Sequence, residues 1–377
     1  MHNVQCARRR VLRGPWNSHG DDHLVGVHSG GPCPGRRARR DRVSHRGRAA
    51  PDPAADAGGS AGAGRQGLRR GGAEGDDVTT ARTWYLFDVN PSTPPALTVA
   101  PGQAFTLEVG GALRDVSDIR YVPTPFTPAC NGHPLAPIAG PVRVSGAEPG
   151  DAVVVELLEI TPHGEGKTAI LRDFGVLRTE FPDPMALSCP IKDGRAWFGG
   201  RIPIPLAPNL GTVSTMPPDG YKPSYAGAYG GDFDQKDVRA GCRVHLPVLV
   251  AGALVFFADP HAAISDGIIG GAGVECDATV RARIGLQKHT QLDRPILEID
   301  DTVQVLGFGP TVEAATEDCS RGAVELVVSR TGLDPREAYM LLSVVGELRI
   351  GTSPRPVMAA RLIIPQTVLS AAAQGSA

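Results

Sequence analysis

The chain has 377 residues, 41% of them hydrophobic, and a net charge of −2, enough apolar material for one large domain or two of medium size. The near-neutral charge gives no case for nucleic acid, and no apolar run approaches the roughly 18 residues of a membrane span. Seven scattered cysteines, with no CxxC pair, argue against a disulfide framework or cysteine zinc site and for a reducing compartment, so a cytoplasmic protein is expected. The 47 Gly and 34 Pro favour a turn-rich, mostly β protein, and the 5% of aromatics leaves its core to Val, Leu, Ile and Ala.

Residues 1–80 differ from the rest: the stretch from Gly35 to Gly75 is Arg, Gly, Ala and Pro with almost no large apolar side chains. Such a segment buries too little surface to offset its ordering entropy, so it is expected to be a disordered tail. It has Arg but no Lys, as a GC-rich stretch read in an arbitrary frame would, which suggests an over-extended gene start with the true one near Val78. The functional alternative is an Arg-rich tail for nucleic acid.

From Trp84 to Ile299, short β runs alternate with Gly/Pro turns. "ALTVAPGQAFTLEV", "VRVSGAEPGDAVVVELLEI" and "RVHLPVLVAGALVFFA" each read as strand, turn, strand. In "VECDATVRARI", Val274, Cys276, Ala278, Val280, Ala282 and Ile284 alternate with Glu275, Asp277, Thr279, Arg281 and Arg283, giving one buried and one polar face. Glu275 begins that polar face. Many such pairs predict a β-sandwich or paired sheets, assigned to residues 81–300.

Residues 301–377 change period. "TVEAATEDCSRGAVELVVSRTG" is helical and stops at Gly332; a second helix opens with Asp334 as cap, Pro335 in first position and Glu337 in third. "VMAARLIIP" is a closing strand. The expected fold is mainly β with an α+β part: sandwich-like layers, then a C-terminal region of two helices and a strand on the same core.

"GEGKT" (Gly164 to Thr168) lacks the first glycine of a phosphate loop, and "GIIGGAG" misses the GxGxxG offsets. Cys130 in "TPACNGHP", with His133 three residues on, is a candidate thiolate–imidazole pair. The richer cluster has two parts. "YGGDFDQKD" carries Asp232 and Asp234, on one face if extended with Phe233 on the other. "DPHAAISDGIIGGAGVE" reads as a glycine-laced loop between two strands, carrying Asp259, His261 and Asp266. Mixed His and carboxylate ligands suit a divalent ion such as Zn²⁺. The plain alternative is that the Asp residues cap turns and His261 is a satisfied loop histidine.

The blocks "PPALTVAPG", "GPVRVSGAEPGDAVVVELLEI", "YGGDFDQKDVRAGCRVHLPVLVAGALVFFADPHAAISDGI", "GAGVECDATV" and "EAYMLLSVVGELRI" resemble the acetamidase/formamidase family, in family order from Trp84 to Pro365. The resemblance implies hydrolysis of small linear amides to carboxylate and ammonia, on a fold of β-sandwich-like layers with an α+β part. The family's Gly-Gly-Asn-Met-Asp block falls on Gly230 to Asp234, with Lys236 two residues on. Its His-x-x-Gln-Gly-Asp-Gly-Glu block begins at His261 and puts its Asp on Asp266. A later Glu falls on Glu275. The chain departs at Ile264 (family Gln), Ser265 (Gly), Ile268 (Glu) and Tyr229 (often His).

The implied site has Asp234, His261 and Asp266 as ligands of a divalent metal, zinc first and calcium as the other candidate. Asp232 and Glu275 are the candidate proton carriers; Ile264, Ile268 and Tyr229 line the substrate; His163 and Lys167 are weaker substrate candidates. The expected partners are a small amide and a second copy of the chain in a homodimer. The rival reading is a non-catalytic or re-specialised member that binds a small ligand in the same pocket, its base lost with Ile268.

Overall fold

The computed structural model describes residues 79–81, 89–114, 136–221, 225–352 and 357–374. The Arg/Gly/Ala-rich tail, apart from Thr79 and Thr80, lies outside the described residues, as do Cys130 and His133.

The strands are β1 (Thr79–Ala81), β2 (Leu97–Val99), β3 (Ala104–Val109), β4 (Ala139–Val144), β5 (Ala152–Ile170), β6 (Met185–Lys192), β7 (Arg195–Phe198), β8 (Ile202–Pro205) and β9 (Asn209–Ser214). They continue with β10 (Ala226–Gly227), β11 (Gly230–Asp232), β12 (Arg243–Pro247), β13 (Val255–Ala263), β14 (Val274–Gln287), β15 (Ile296–Ile299) and β16 (Thr302–Gly309). Helices α1 (Val312–Thr331) and α2 (Pro335–Val345), strands β17 (Glu347–Thr352) and β18 (Met358–Pro365), and helix α3 (Gln366–Gln374) complete the chain. Among the described residues the pairings are antiparallel, except β1 with β3 and β2 with β4. The result is the mainly β fold with C-terminal helices that the alternation predicts.

Strand β14 shows how the sequence builds it. Cys276, Ala278, Val280, Ala282 and Ile284 are buried, and the residues between them from Asp277 to Arg283 are half-exposed. Ala278, Val280, Ala282 and Ile284 join Phe105, Leu107, Val155, Phe257 and Val244 in the main core, while Cys276 packs in a smaller cluster with Cys189 and Val274. A second core lies between α1, α2, β16 and β18, around Val305, Cys319, Ala323, Leu342 and Ile364. Helix α1 ends at Gly332 in the left-handed region (φ 74°), and α2 carries the capping box of Asp334 and Glu337 with Pro335 behind the cap. The C-terminal region adds to the two predicted helices and the closing strand two further strands, β16 and β17, and a short third helix, α3. Local helical period hid β17, because "ELRI" follows α2 after one glycine; pairing with β18 makes it a strand.

One expectation is corrected. Asp259 and His261 are not on a loop: β13 runs through Ala263, and the loop is Ile264–Gly273. Pro260 and a left-handed Asp259 (φ 60°) are strand breakers, so the local signal reads as loop. The ladder to β9, Ala258 to Thr212, Pro260 to Leu210 and His261 to Asn209, carries the strand through them.

Candidate metal centre

Four neighbouring strands bring a row of polar residues into register. His261 of β13 pairs with Asn209 of β9 on one side and Glu275 of β14 on the other, and Glu275 pairs in turn with Lys167 of β5. Paired residues of adjacent strands point to one face, so the four side chains stand side by side. The His261 ring bridges its neighbours: Nδ1 is 3.1 Å from Asn209 Oδ1, and Nε2 is 3.2 Å from Glu275 Oε1.

Asp259, two residues before His261 in β13, lies on the same side, with Oδ2 3.6 Å from Nε2. Asp234 arrives from the chain beyond β11, its left-handed backbone (φ 45°) tied down where the Gly211 carbonyl accepts from the amides of Phe233 and Asp234, each at 3.1 Å. Asp234, Asp259 and His261 each offer a ligand atom within 4.8 Å of the others, and all three are buried. Asp232 and Glu275 are buried beside them.

The donors suit a divalent cation. Two carboxylates and an imidazole form a hard, mixed O/N set of the kind zinc and similar ions take. The floor is a glycine for a reason of space: a Cβ on Gly211 would overlap Asp234 Oδ1 and stand 2.5 Å from Asp259 Oδ2. The electrostatics agree. Burial, then the Glu275 charge, holds the Asp259 carboxyl well above the usual carboxylate range, with His261 opposing. Burial works against a charged His261, but Glu275, Asp259 and Asp234 outweigh it and push the imidazole up to about 10. This excess of buried negative charge is what a bound cation would offset.

Asp266 stands apart from this set. Its carboxylate pairs with the buried guanidinium of Arg361, Nη1 to Oδ1 at 2.8 Å, and with Lys236 at 3.3 Å. Asp259 occupies the corner that the resemblance assigns to Asp266. The physical reason is spacing: Asp266 is five residues past His261, beyond the end of β13, whereas Asp259 shares its strand. Arg361 also donates to Gln235 Oε1 and, at 3.1 Å, to Asp237 Oδ2.

A cavity of about 180 Å³ opens on the other side of Glu275, lined by Gly111, Leu113, Arg114, Glu165, Lys167, Cys276 and Asp277. Glu275 therefore stands between the cavity and the His261 cluster, buried rather than solvated at the start of a polar face. Neither Ile264, Ile268 nor Tyr229 lines this cavity. Ile264 is half-buried in the loop after β13, Ile268 is buried there with φ 33°, and the Tyr229 ring packs edge-on against Tyr221, centroids 6.4 Å apart. Lys167 is on the cavity wall, its ammonium donating to the carbonyls of Leu113 and Arg114. His163 instead pairs with Glu108 at 3.0 Å on an exposed part of the sheet. Asn209, Gly211 and Arg361 carry no spacing signal in the sequence and were not among the candidates. Asp259 did: a carboxylate at i−2 from a histidine shares its face once the segment is a strand. The four cysteines among the described residues are buried free thiols held above their ordinary pKa by burial.

The sequence profile of the Acetamidase/Formamidase family matches residues 219–370, which hold Asp234, Asp259, His261, Asp266, Glu275 and Arg361. An acetamidase of Mycolicibacterium smegmatis is 32% identical over 83 residues; this match spans 18% of that curated relative's length. Two solved structures resemble nearly the whole fold. The acetamidase of Bacillus halodurans is 26% identical, with a TM-score of 0.72 over 78% of this chain and 99% of its own. The acetamidase of Yersinia enterocolitica is also 26% identical, with a TM-score of 0.70 over 80% and 96%. Residues 219–370 thus match the acetamidase/formamidase family, and the fold is similar to that of these two acetamidases.

Proposed function

We propose that the protein hydrolyses small linear amides, water and amide giving a carboxylate and ammonia, at the cluster of Asp234, Asp259 and His261. The observation that carries this reading is the place of Glu275, between that cluster and the cavity. The three cluster residues would hold a divalent cation, zinc first by the chemistry of the donors and calcium as the other candidate. When bound, such a cation supplies positive charge that polarises the amide carbonyl and makes water more acidic. Glu275 takes the proton from the attacking water and returns it to the leaving nitrogen, as a carboxylate between substrate space and cluster can. Asp232, buried beside Asp234, is the second proton carrier. The cavity limits the acyl group to a few heavy atoms and gives it a polar wall in Arg114 and Lys167.

In this reading residues 81–300 carry the catalytic machinery, layered as a sandwich, and residues 301–377 support it; Leu306 and Ala359 in the main core favour that division. We also infer a cytoplasmic homodimer. The buried free thiols favour a reducing compartment, and exposed Tyr339, Met340 and Val344 on α2, beside Leu348 on β17, favour a covered face. Light scattering tests the dimer; a monomeric mass removes it.

The function is tested by ammonia release from formamide, acetamide and longer amides. Activity should vanish on prolonged chelation, return with zinc, and be absent from Glu275→Gln. Failure to release ammonia from any amide in the panel overturns the reading. One observation favours a second reading, a re-specialised or non-catalytic ligand binder: Ile268 is buried in a left-handed conformation where the family has Glu. Ile268→Glu separates the two. A rise of about 10²-fold or more in turnover of acetamide or formamide marks a site weakened by the loss of a base. A loss of activity toward a bulkier amide marks re-specialisation.

A further inference from the structure

Asn209 is fully buried in β9, and both ends of its carboxamide are engaged. Its Nδ2 donates to the main-chain carbonyl of Gln235 at 3.2 Å. A carbonyl can only accept, so this bond decides which way the amide faces and leaves Oδ1 toward His261. Oδ1 stands 3.1 Å from His261 Nδ1 and can itself only accept, so Nδ1 must carry a hydrogen. The ring's remaining nitrogen, Nε2, is the one turned toward Asp259 and Glu275.

Gln235 is not a loose anchor. It is fully buried; its side chain accepts from Arg361 and donates to the Phe233 carbonyl at 3.1 Å. Arg361 in turn holds Asp237 and Asp266. The polar chain therefore runs from a guanidinium in β18, through the residue that follows Asp234, to the ring of His261.

We propose that Asn209 is a positioning residue: through the Gln235 carbonyl it holds His261 with the hydrogen on Nδ1 and so directs the Nε2 lone pair into the space between Asp234 and Asp259. This rests on the metal-centre reading above. Outer groups that fix a ligand histidine are commonly worth 10- to 100-fold in metal affinity, and here the fixing group is neutral, an amide rather than a carboxylate. A neutral partner adds no charge to a site already crowded with acids.

The test is zinc affinity of the chelator-stripped full chain, measured by competition with a chromophoric chelator. Asn209→Leu, of similar volume but without an acceptor, should weaken zinc binding by about 10- to 100-fold. Asn209→Asp keeps an acceptor for Nδ1–H but loses the donor to the Gln235 carbonyl, so it should fall between wild type and Asn209→Leu. Equal affinity in wild type and a natively folded Asn209→Leu overturns the proposal, as does an Asn209→Asp variant as weak as Leu. The tautomer is read independently by ¹⁵N NMR of histidine-labelled wild type, which needs no variant to fold. Nδ1 should be protonated in the zinc-loaded protein and, without zinc, above pH ~10 where the ring is neutral; an unprotonated Nδ1 in either state overturns the assignment. If wild type takes up no divalent ion, the metal reading fails, and the metal-free spectrum above pH ~10, where the neutral ring has one hydrogen to place, still decides the tautomer.

Discussion

Arg361 and Asp266 form an ion pair, Nη1 to Oδ1 at 2.8 Å, in which the arginine side chain has no exposed surface. The pair joins β18 to the loop after His261 and gives Asp266 a structural part. Asp266→Asn should therefore lower stability, by up to about 3 kcal/mol, because it removes one of the charges that offset the buried Arg361 guanidinium. Metal content should stay near that of wild type. Urea unfolding and metal analysis read the two effects separately; a stable variant without metal would make Asp266 a ligand instead.

Gly211→Ala should act in the opposite way. The φ of Gly211 lies outside the left-handed region, so alanine is allowed by the backbone, and its Cβ would meet carboxylate oxygens rather than main chain. The carboxylates must move. The expected outcome is a folded protein with a near-native circular dichroism spectrum whose zinc affinity falls by about tenfold or more, the scale on which disturbing a ligand's surroundings acts. Unchanged zinc binding would place the cation site elsewhere.

His261→Ala and Asp259→Asn should each abolish stoichiometric metal binding. Chelation of wild type should lower its melting temperature, since an ion that binds the folded state alone stabilises it by mass action and its removal leaves the acids crowded. Differential scanning fluorimetry with and without zinc checks this. A melting temperature indifferent to both chelator and zinc would count against the centre.

Asp151 provides a pH dependence with a definite sign. Its Oδ2 accepts from Lys288 Nζ at 2.6 Å and its Oδ1 from the His289 amide at 2.9 Å, and these bonds hold its pKa down at about 2. The folded value lies below the unfolded one of about 3.9. The contribution is therefore complete above pH ~4 and is lost as pH falls from there through about 2. Asp151→Asn should flatten the wild-type loss of stability in that window, measured by urea unfolding at stepped pH. Parallel curves for the two proteins would exclude Asp151 as a source of acid sensitivity.

Sequence by itself determined the strands and the caps, and it named most of the residues of the proposed site. The alternation from Cys276 to Ile284, the Asp334–Pro335–Glu337 helix start and the stop at Gly332 depend on neighbours within a few residues, and burial follows them. His261, Asp234 and Glu275 stand in blocks whose residue types already suggest a cation and a proton carrier. Tertiary structure decided which carboxylate joins them. Asp259 sits behind a proline that reads as a break, and the ladder with β9 keeps it in the strand and on the face of His261. Asn209 and Gly211 hold no charge and have no spacing to betray them; register across four strands brings them under the cluster. Arg361 lies in a segment that reads as an apolar closing strand, 95 residues beyond Asp266 in the chain. A buried charge takes its partner from whatever the fold sets beside it, and sheet register, a long-range property, makes that choice.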